Sequence, residues 1–321
     1  MGGDAGSHHV TDDQNNYGIG FDLGGTILKC VAVDQRGTVL HQAHFATLDG
    51  GLASSPCQNP PWAEKVCELL ESVEQRMNAR AAWVGVAAPG LASADHRSIA
   101  HMPGRLEGLE GLDWTRLLER DNPVLVLNDA HAALLGECWR GAGRGLRNAI
   151  LLTLGTGVGG AILCEGQLLR GQIGRAGHVG HITLNPRGLP DVTGMPGSLE
   201  DLIGECSIRQ RTGGRFRTTR ELIQAHLEGN LVATEMWLHA VYSLACALGS
   251  LINVMDPEAI ILGGGIAQSG DALFEPLRQY LAEVEWRPGG QTVRLIPAQL
   301  GEFAGALGAA RYALENVGLG G

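Results

Sequence analysis

No two of the seven cysteines stand as a C-x-x-C pair, and their number is odd. That excludes a disulfide framework and a zinc knuckle built from neighbouring residues, and it suits a reducing, cytoplasmic setting. Basic residues are also in short supply: 24 Lys and Arg face 34 Asp and Glu, a formal charge of −10. Such a surface repels nucleic acid and acidic membranes, so neither is expected as a partner. Residues 1–16 lack an apolar core and read as a loose tail, neither secretory signal nor anchor. The most apolar run, 150–163, is interrupted by four glycines and is too short to cross a bilayer as a helix. Low-complexity tracts and solenoid repeats are missing, and no G-x-x-x-x-G-K-[ST] loop occurs.

What is present, in 321 residues, is enough chain for two compact lobes with a cleft between them. Twice an apolar strand runs into a glycine-rich turn and returns as a second apolar strand: around Asp22-Leu-Gly24-Gly25-Thr26, and around Gly155-Thr156-Gly157-Val-Gly159-Gly160. The glycines let backbone N–H groups approach a ligand closely, so together the turns read as two jaws of a phosphate clamp. The second turn satisfies G-x-G-x-x-G literally. A dinucleotide fingerprint, however, requires a helix directly after the glycines, and the sequence there reads as a returning strand. Tight hairpins alone would explain one such turn; two in matching contexts favour the clamp.

Strands are predicted over 18–22, 27–33 and 38–45, a helix over 62–77, and strands over 83–88 and 124–127. A helix then runs to about 139. The same plan opens again at 148 with three strands, followed by an irregular, ligand-facing stretch over 171–217. Helices return at 218–228 and 232–255, a strand at 259–262, a helix after Gly263-Gly264-Gly265, and a last helix over 303–316.

Asp22 ends the first strand, where a carboxylate suits a hydrated Mg²⁺ held against nucleotide phosphates. Lys29 reads either as a phosphate-side cation or as an outward strand charge. Asn128 and Asp129 follow an apolar strand and open a helix; one of them caps it, or Asp129 serves as a general base, a role worth about 10²–10⁴ in rate. His178 and His181 form an H-x-x-H pair, but no cysteine falls between Cys164 and Cys206, which favours sugar contact or loop packing over metal. Glu200 either caps a helix starting near Ser198 or reaches the cleft. Gly263, Gly264 and Gly265 either seat a purine or make an ordinary strand-to-helix turn.

In this order the pieces resemble the ROK family of sugar kinases and repressors. The resemblance covers about residues 17–316. It is carried by Asp22-Leu-Gly-Gly-Thr26, Asn128-Asp129-Ala-His-Ala-Ala-Leu-Leu-Gly-Glu137, Leu154-Gly-Thr-Gly-Val-Gly-Gly160 and Ile261-Leu-Gly-Gly-Gly-Ile266. It implies an α/β, two-lobed actin-like ATPase fold of the ribonuclease H-like type, each lobe a mixed sheet with flanking helices. Residues 17–128 with 303–321 would form the smaller lobe and 129–302 the larger. It further implies ATP and Mg²⁺, Asp129 as base, and a homodimer. Asp22, Gly24, Gly25, Thr26, Lys29, Gly155, Thr156, Gly157, Gly159 and Gly263 to Gly265 fall on the nucleotide side. Gly90, Asn128, Asp129, His178, His181 and Glu200 fall on the sugar side.

Two departures stand out. His178 replaces the glutamate of the family's Gly-Glu-x-Gly-His loop. Asp191, Thr193 and Ser198 occupy the positions of the C-x-C-G-x-x-G-C-x-E cysteines, so no structural zinc is expected and oxygen-based hydrogen bonds should brace the loop. The repressors' helix-turn-helix needs several tens of residues before the first phosphate motif, and only a short tail precedes it here. The expected function is transfer of the γ-phosphoryl of ATP to a hexose hydroxyl, most plausibly the 6-hydroxyl of glucose or a close relative. A non-catalytic sugar sensor and a polyphosphate-dependent glucokinase are the alternatives.

Overall fold

A computed structural model describes residues 16–47, 59–102 and 104–316; the expected tail, apart from Asn16, and Cys57 lie outside them. The chain begins with β1 (Tyr17–Leu23), β2 (Ile27–Asp34), β3 (Val39–Ala46) and α1 (Pro61–Met77). Next come β4 (Trp83–Ala88), the short hairpin β5 (Leu91–Ala92) and β6 (Ile99–His101), α2 (Trp114–Leu117), β7 (Leu125–Asn128) and α3 (Asp129–Arg140). The second half starts with β8 (Ala149–Leu154), β9 (Val158–Cys164) and β10 (Gln167–Leu168). It continues through α4 (Leu199–Ile203), α5 (Ile208–Arg211), α6 (Thr219–Leu227), α7 (Leu231–Met255), β11 (Ala259–Gly263), α8 (Asp271–Val284), β12 (Arg294–Pro297) and α9 (Ala304–Asn316).

Among the described residues there are two five-stranded sheets, ordered β3-β2-β1-β4-β7 and β10-β9-β8-β11-β12. The orders are equivalent. In each, the first strand pairs antiparallel with the hairpin that follows it, and parallel with a strand that returns after a helical crossover. The first sheet packs against α1 through Phe21, Val86, Trp62 and Leu69; the second packs against α7 and α8 through Ile150, Ile260, Leu244 and Leu277.

Local chemistry sets the helix ends. Proline at the first position of α1 supplies a helical φ without needing a hydrogen bond, and Asn78 ends that helix in the left-handed region. Asn128, Ser198, Thr218 and Asn230 each cap a helix with a side-chain oxygen. Asp256, also left-handed, and Pro257 end α7. That helix corrects one sequence reading: among the described residues α7, not the run at 150–163, is the helix long and apolar enough to cross a bilayer, and more than half of its most apolar stretch is buried. Its apolar residues, which a hydropathy scan sees as continuous, are spent against α6, α8 and the sheet. The turn after β11 also differs from expectation, since a 3-10 turn (267–269) intervenes before α8.

The two halves meet where α3 crosses α9. A methyl group added to Gly308 would lie 1.6 Å from the Ala132 carbonyl oxygen, and one on Gly136 would lie 2.3 Å from that of Ala304. Backbone therefore touches backbone at this crossing. α9 also lies directly on the first sheet, because Gly20 and Gly85 leave room for the Ala306 and Ala309 carbonyls, while α3 packs on β8 and β9 of the second. The pair thus joins the sheets.

Candidate active site

Register places the acidic residues. Asp22 is opposite Lys29 across the β1–β2 pair and opposite Ala87 across β1–β4, while Ala88 is opposite Asn128 across β4–β7. The carboxyl ends of three strands therefore form one edge, where α/β sheets commonly bind ligands. Lys29 Nζ donates to Asp22 Oδ2 at 3.1 Å, and both side chains are largely buried. Lys29 is thus not an outward strand charge. Burial raises the Asp22 carboxyl to about 6; Lys29 opposes the shift, and the negative charge of Asp129 adds to it. The Asp129 carboxyl is likewise raised by burial, against the pull of the Ala130 N–H, the Asn128 side chain and Lys29. Asp129 is nonetheless reachable by solvent. Protein surrounds it on several sides without covering it, as on the wall of a cleft.

Asn128 resolves the question of the cap. Its Oδ1 accepts from the N–H groups of Ala130 and His131, at 3.0 and 3.2 Å, and its Nδ2 donates to the Gly90 carbonyl at 3.1 Å. Gly90 has φ +100, and a side chain there would strike the His101 carbonyl. Asn128 and Gly90 are therefore tied together, and the cap leaves Asp129 at the first position of α3, with Oδ1 accepting from Ala130 N at 2.8 Å.

The second glycine turn lies against α3, and the third glycine run lies against the strand leading into the second turn. In the first turn, Gly24 N donates to the Ile27 carbonyl, and Thr47 ties down the carbonyls of Gly24 and Thr26. In the second, the Gly155 and Thr156 carbonyls accept from Glu205 and Cys206, and Gly159 lies against Ala130 of α3. Glu200 reaches this turn: its Oε2 accepts from Val158 N at 2.8 Å and lies where a Gly157 side chain would be. Gly264 has φ +87 and closes on the Leu154 carbonyl, holding the 263–265 run against the second turn, while Gly265 has open space beside it.

On the other wall, His178 Nδ1 donates to the Arg175 carbonyl at 3.2 Å, and its ring meets the edge of His131. Burial lowers the His178 pKa and keeps the ring neutral, so with Nδ1 donating, Nε2 is its acceptor. His181 is placed differently. Its Nδ1 donates to Asp191 Oδ2 at 2.8 Å, while Asp191 Oδ1 accepts from Thr193 N, Thr193 Oγ1 and Met195 N. Burial alone would raise the Asp191 carboxyl, but bonds from Thr193, His181 and Ser198 outweigh it and hold the group well below the usual carboxylate range.

Residues 18–316 match the ROK family. The chain belongs to the ROK family. A glucokinase of Thermotoga maritima is 30% identical, over 94% of this chain and 98% of its own. The ROK hexokinase of Thermus thermophilus superposes with a TM-score of 0.81 at 31% identity, covering 95% of this chain and all of that one. A Streptomyces griseus ROK glucokinase, solved with glucose and AMPPNP, gives 0.75 at 27% identity over 94% of this chain and all of its own. The fold is thus the two-lobed actin-like one.

Within this ROK chain, Asp191 gathers His181, Thr193 and Met195 by hydrogen bonds. Two further residues escaped the sequence reading. His131, one turn into α3, is 2% exposed and donates from Nε2 to the Ala176 carbonyl at 2.9 Å, propping the loop that carries His178. Glu137 is fully buried and spans α3 to the segment before α9. Neither has a local signal, because their partners lie 45 and 162 residues away in sequence.

Burial lowers the His131 pKa to about 4. A base whose folded pKa falls below its unfolded value of about 6.5 binds fewer protons folded than unfolded between the two, so stability is lost as pH drops through that window. For His131 the loss between pH 7 and 5 is about 2 kcal/mol. Urea denaturation of wild type and His131→Gln at both pH values should show the wild type losing that much more; parallel losses would remove His131 as a cause.

Proposed function

We propose that this glucokinase-like sugar kinase transfers the γ-phosphoryl of ATP to the 6-hydroxyl of glucose or a close relative, with Asp129 as general base. The observation that carries the reading is the position of Asp129. It opens α3 with its carboxylate in the field of Asp22 and Lys29, one residue from Ala130, against which the second glycine turn packs.

Asp129 accepts the proton of the sugar hydroxyl as that oxygen attacks phosphorus. Its raised affinity for a proton suits the task, since a base works best when its pKa approaches the working pH. Asn128 orients it through the cap and through Gly90. The N–H groups of the two glycine turns hold phosphate oxygens, and the 263–265 run lies against the strand that leads into the second turn. Mg²⁺ fits the residues present: it keeps most of its waters and takes one or two carboxylates besides substrate phosphates, and Asp22 offers one at the phosphate turn. When bound, the ion neutralises charge on the phosphate oxygens. Lys29 offsets the Asp22 charge.

On the sugar wall, the neutral His178 ring offers an acceptor, the hydrogen-bonding character of the carboxylate it replaces. His181 and Glu200 support the wall from behind, the first through Asp191 and the second through the phosphate turn. Residues 17–128 with 303–316 form one closing unit and 129–302 the other, pivoting at the α3–α9 crossing; closure aligns hydroxyl and phosphoryl. A homodimer in the cytoplasm accompanies this reading on the strength of the family resemblance.

The test is initial-rate measurement with purified protein, Mg²⁺ and either ATP or polyphosphate, over a panel of hexoses, amino sugars and polyols. Turnover is expected with ATP and glucose above all. Sugar binding without turnover on any acceptor would support a sensor instead, and turnover only with polyphosphate would replace the donor.

A further inference from the structure

His131 stands where three parts of the site meet. It lies two residues beyond Asp129 on α3, and its backbone N–H is one of the two that Asn128 Oδ1 holds. Its side chain is enclosed, with Nε2 donating to the Ala176 carbonyl and the ring edge-on to His178 at 5.8 Å between centroids. Burial keeps the ring neutral, so its single proton is the one committed to Ala176.

The backbone that leads into His178 is pressed between this ring and a strand. Gly177 has φ +90, and an added methyl there would lie 3.1 Å from Ala161 Cα of β9 and 3.3 Å from His131 Nε2. A methyl on Gly160, also on β9, would lie 2.5 Å from the Gly177 carbonyl oxygen. β9 is the strand that leaves the second glycine turn. One side chain of the helix that opens with Asp129 therefore meets the sugar loop where that loop rests on the return strand of the phosphate turn.

Other bonds near His178 stay inside the loop. His178 Nδ1 and N both reach the Arg175 carbonyl, Ala176 N donates to Arg170, and His181 N donates to the His178 carbonyl. Such bonds shape the loop and move with it. The bond from His131 ties it to α3. Distance between the His178 ring and Asp129 matters because an acceptor hydroxyl displaced by about 1 Å can lose about 10² in rate.

We propose that His131 is a positioning residue for the acceptor sugar: by holding Ala176 and the His178 ring it fixes the sugar wall relative to Asp129, and so sets which hexoses are phosphorylated efficiently. This rests on the reading of His178 as a sugar-facing side chain and of Asp129 as base. His131→Gln keeps a donor for Ala176 without the ring; His131→Phe keeps a ring without the donor. Each is to be measured alone and combined with His178→Ala, by initial rates on glucose and its epimers, AMPPNP affinity and melting temperature. His131→Phe should raise the glucose KM about tenfold and narrow the preference for glucose, with AMPPNP affinity within about twofold of wild type. His131→Gln should recover most of both. On the His178→Ala background, His131→Phe should add less than about twofold, because the ring it positions is gone. A purely structural role would lower the melting temperature without that dependence on residue 178. Wild-type KM and preference in His131→Phe, or equal rises in KM with and without His178, overturn the proposal. Should His131→Phe fail to fold, His131→Asn, whose amide is too short to keep the bond, takes its place with the same expectations. If His178→Ala alone leaves KM and preference unchanged, the sugar-facing reading of His178 falls and this proposal with it. A wild type without turnover on any hexose would instead overturn the kinase reading itself.

Discussion

Asp129→Asn is expected to lower kcat by about 10²–10⁴, the usual worth of a positioned general base, while glucose and AMPPNP affinities stay within a few-fold of wild type. The substitution is close to isosteric. Asparagine Oδ1 still accepts from the Ala130 N–H, so α3 keeps its first turn, and the cap made by Asn128 does not involve residue 129. What disappears is the ability to take a proton. Rates over a glucose titration, paired with calorimetric binding, separate the two effects. Near-wild-type turnover would move the base elsewhere; an equal loss of AMPPNP affinity would place Asp129 among the groups that hold nucleotide.

The same reasoning fixes the pH dependence of the wild type. Asp22 and Asp129 both have raised pKa values because burial disfavours their charged forms, and Asp22 is also raised by its neighbour's charge. The acid limb of kcat/KM therefore belongs near pH 6, where the Asp22 carboxyl lies, instead of in the ordinary carboxylate range. Ionised Asp22 is held against its own preference, which is expected where a charge serves function more than stability.

The proposed nucleotide wall could be assembled from the sequence because its signals are local. A strand ending in Asp22, glycines that allow close approach, and Asn128-Asp129 at a strand-to-helix junction all declare themselves within a few residues. The duplicated sheet was legible for the same reason, as alternating strands and turns written twice. The short β12, Arg294–Pro297, was not. Nor was the way Asn128 divides its bonds between the helix cap and Gly90, which depends on a carbonyl 38 residues away. His181 reads as half of an H-x-x-H pair, yet its ring is committed to Asp191, a partner whose identity as a brace depends on four simultaneous bonds. Pattern reports the period of an element, whereas these residues work through pairings across elements.

The largest stability effect is expected at Glu137, which lies far from the chemistry but on the α3–α9 joint. Its Oε1 accepts from Gln299 N at 2.9 Å and Leu300 N at 2.8 Å, and its Oε2 accepts from Ala142 N at 2.7 Å. Gly141 belongs to the same arrangement, since a side chain there would strike the carboxylate. Glu137→Ala leaves three backbone donors without a partner around a side chain that is itself fully buried. At about 1–3 kcal/mol for each buried unsatisfied group, partly relieved by water entering the space, the loss should be about 3–5 kcal/mol. Glu137→Gln keeps one oxygen for two of the donors but turns an amide toward the third or away from it, so it should lose about half as much. Urea denaturation measures both, and a Glu137→Ala loss below about 1 kcal/mol would show that the three donors find other acceptors. Because the same carboxylate fixes the segment that leads into α9, the variants should also loosen the pivot proposed for closure, raising the KM for sugar in step with the loss of stability. A destabilised variant with unchanged KM would separate the strength of the joint from its role in closing the cleft.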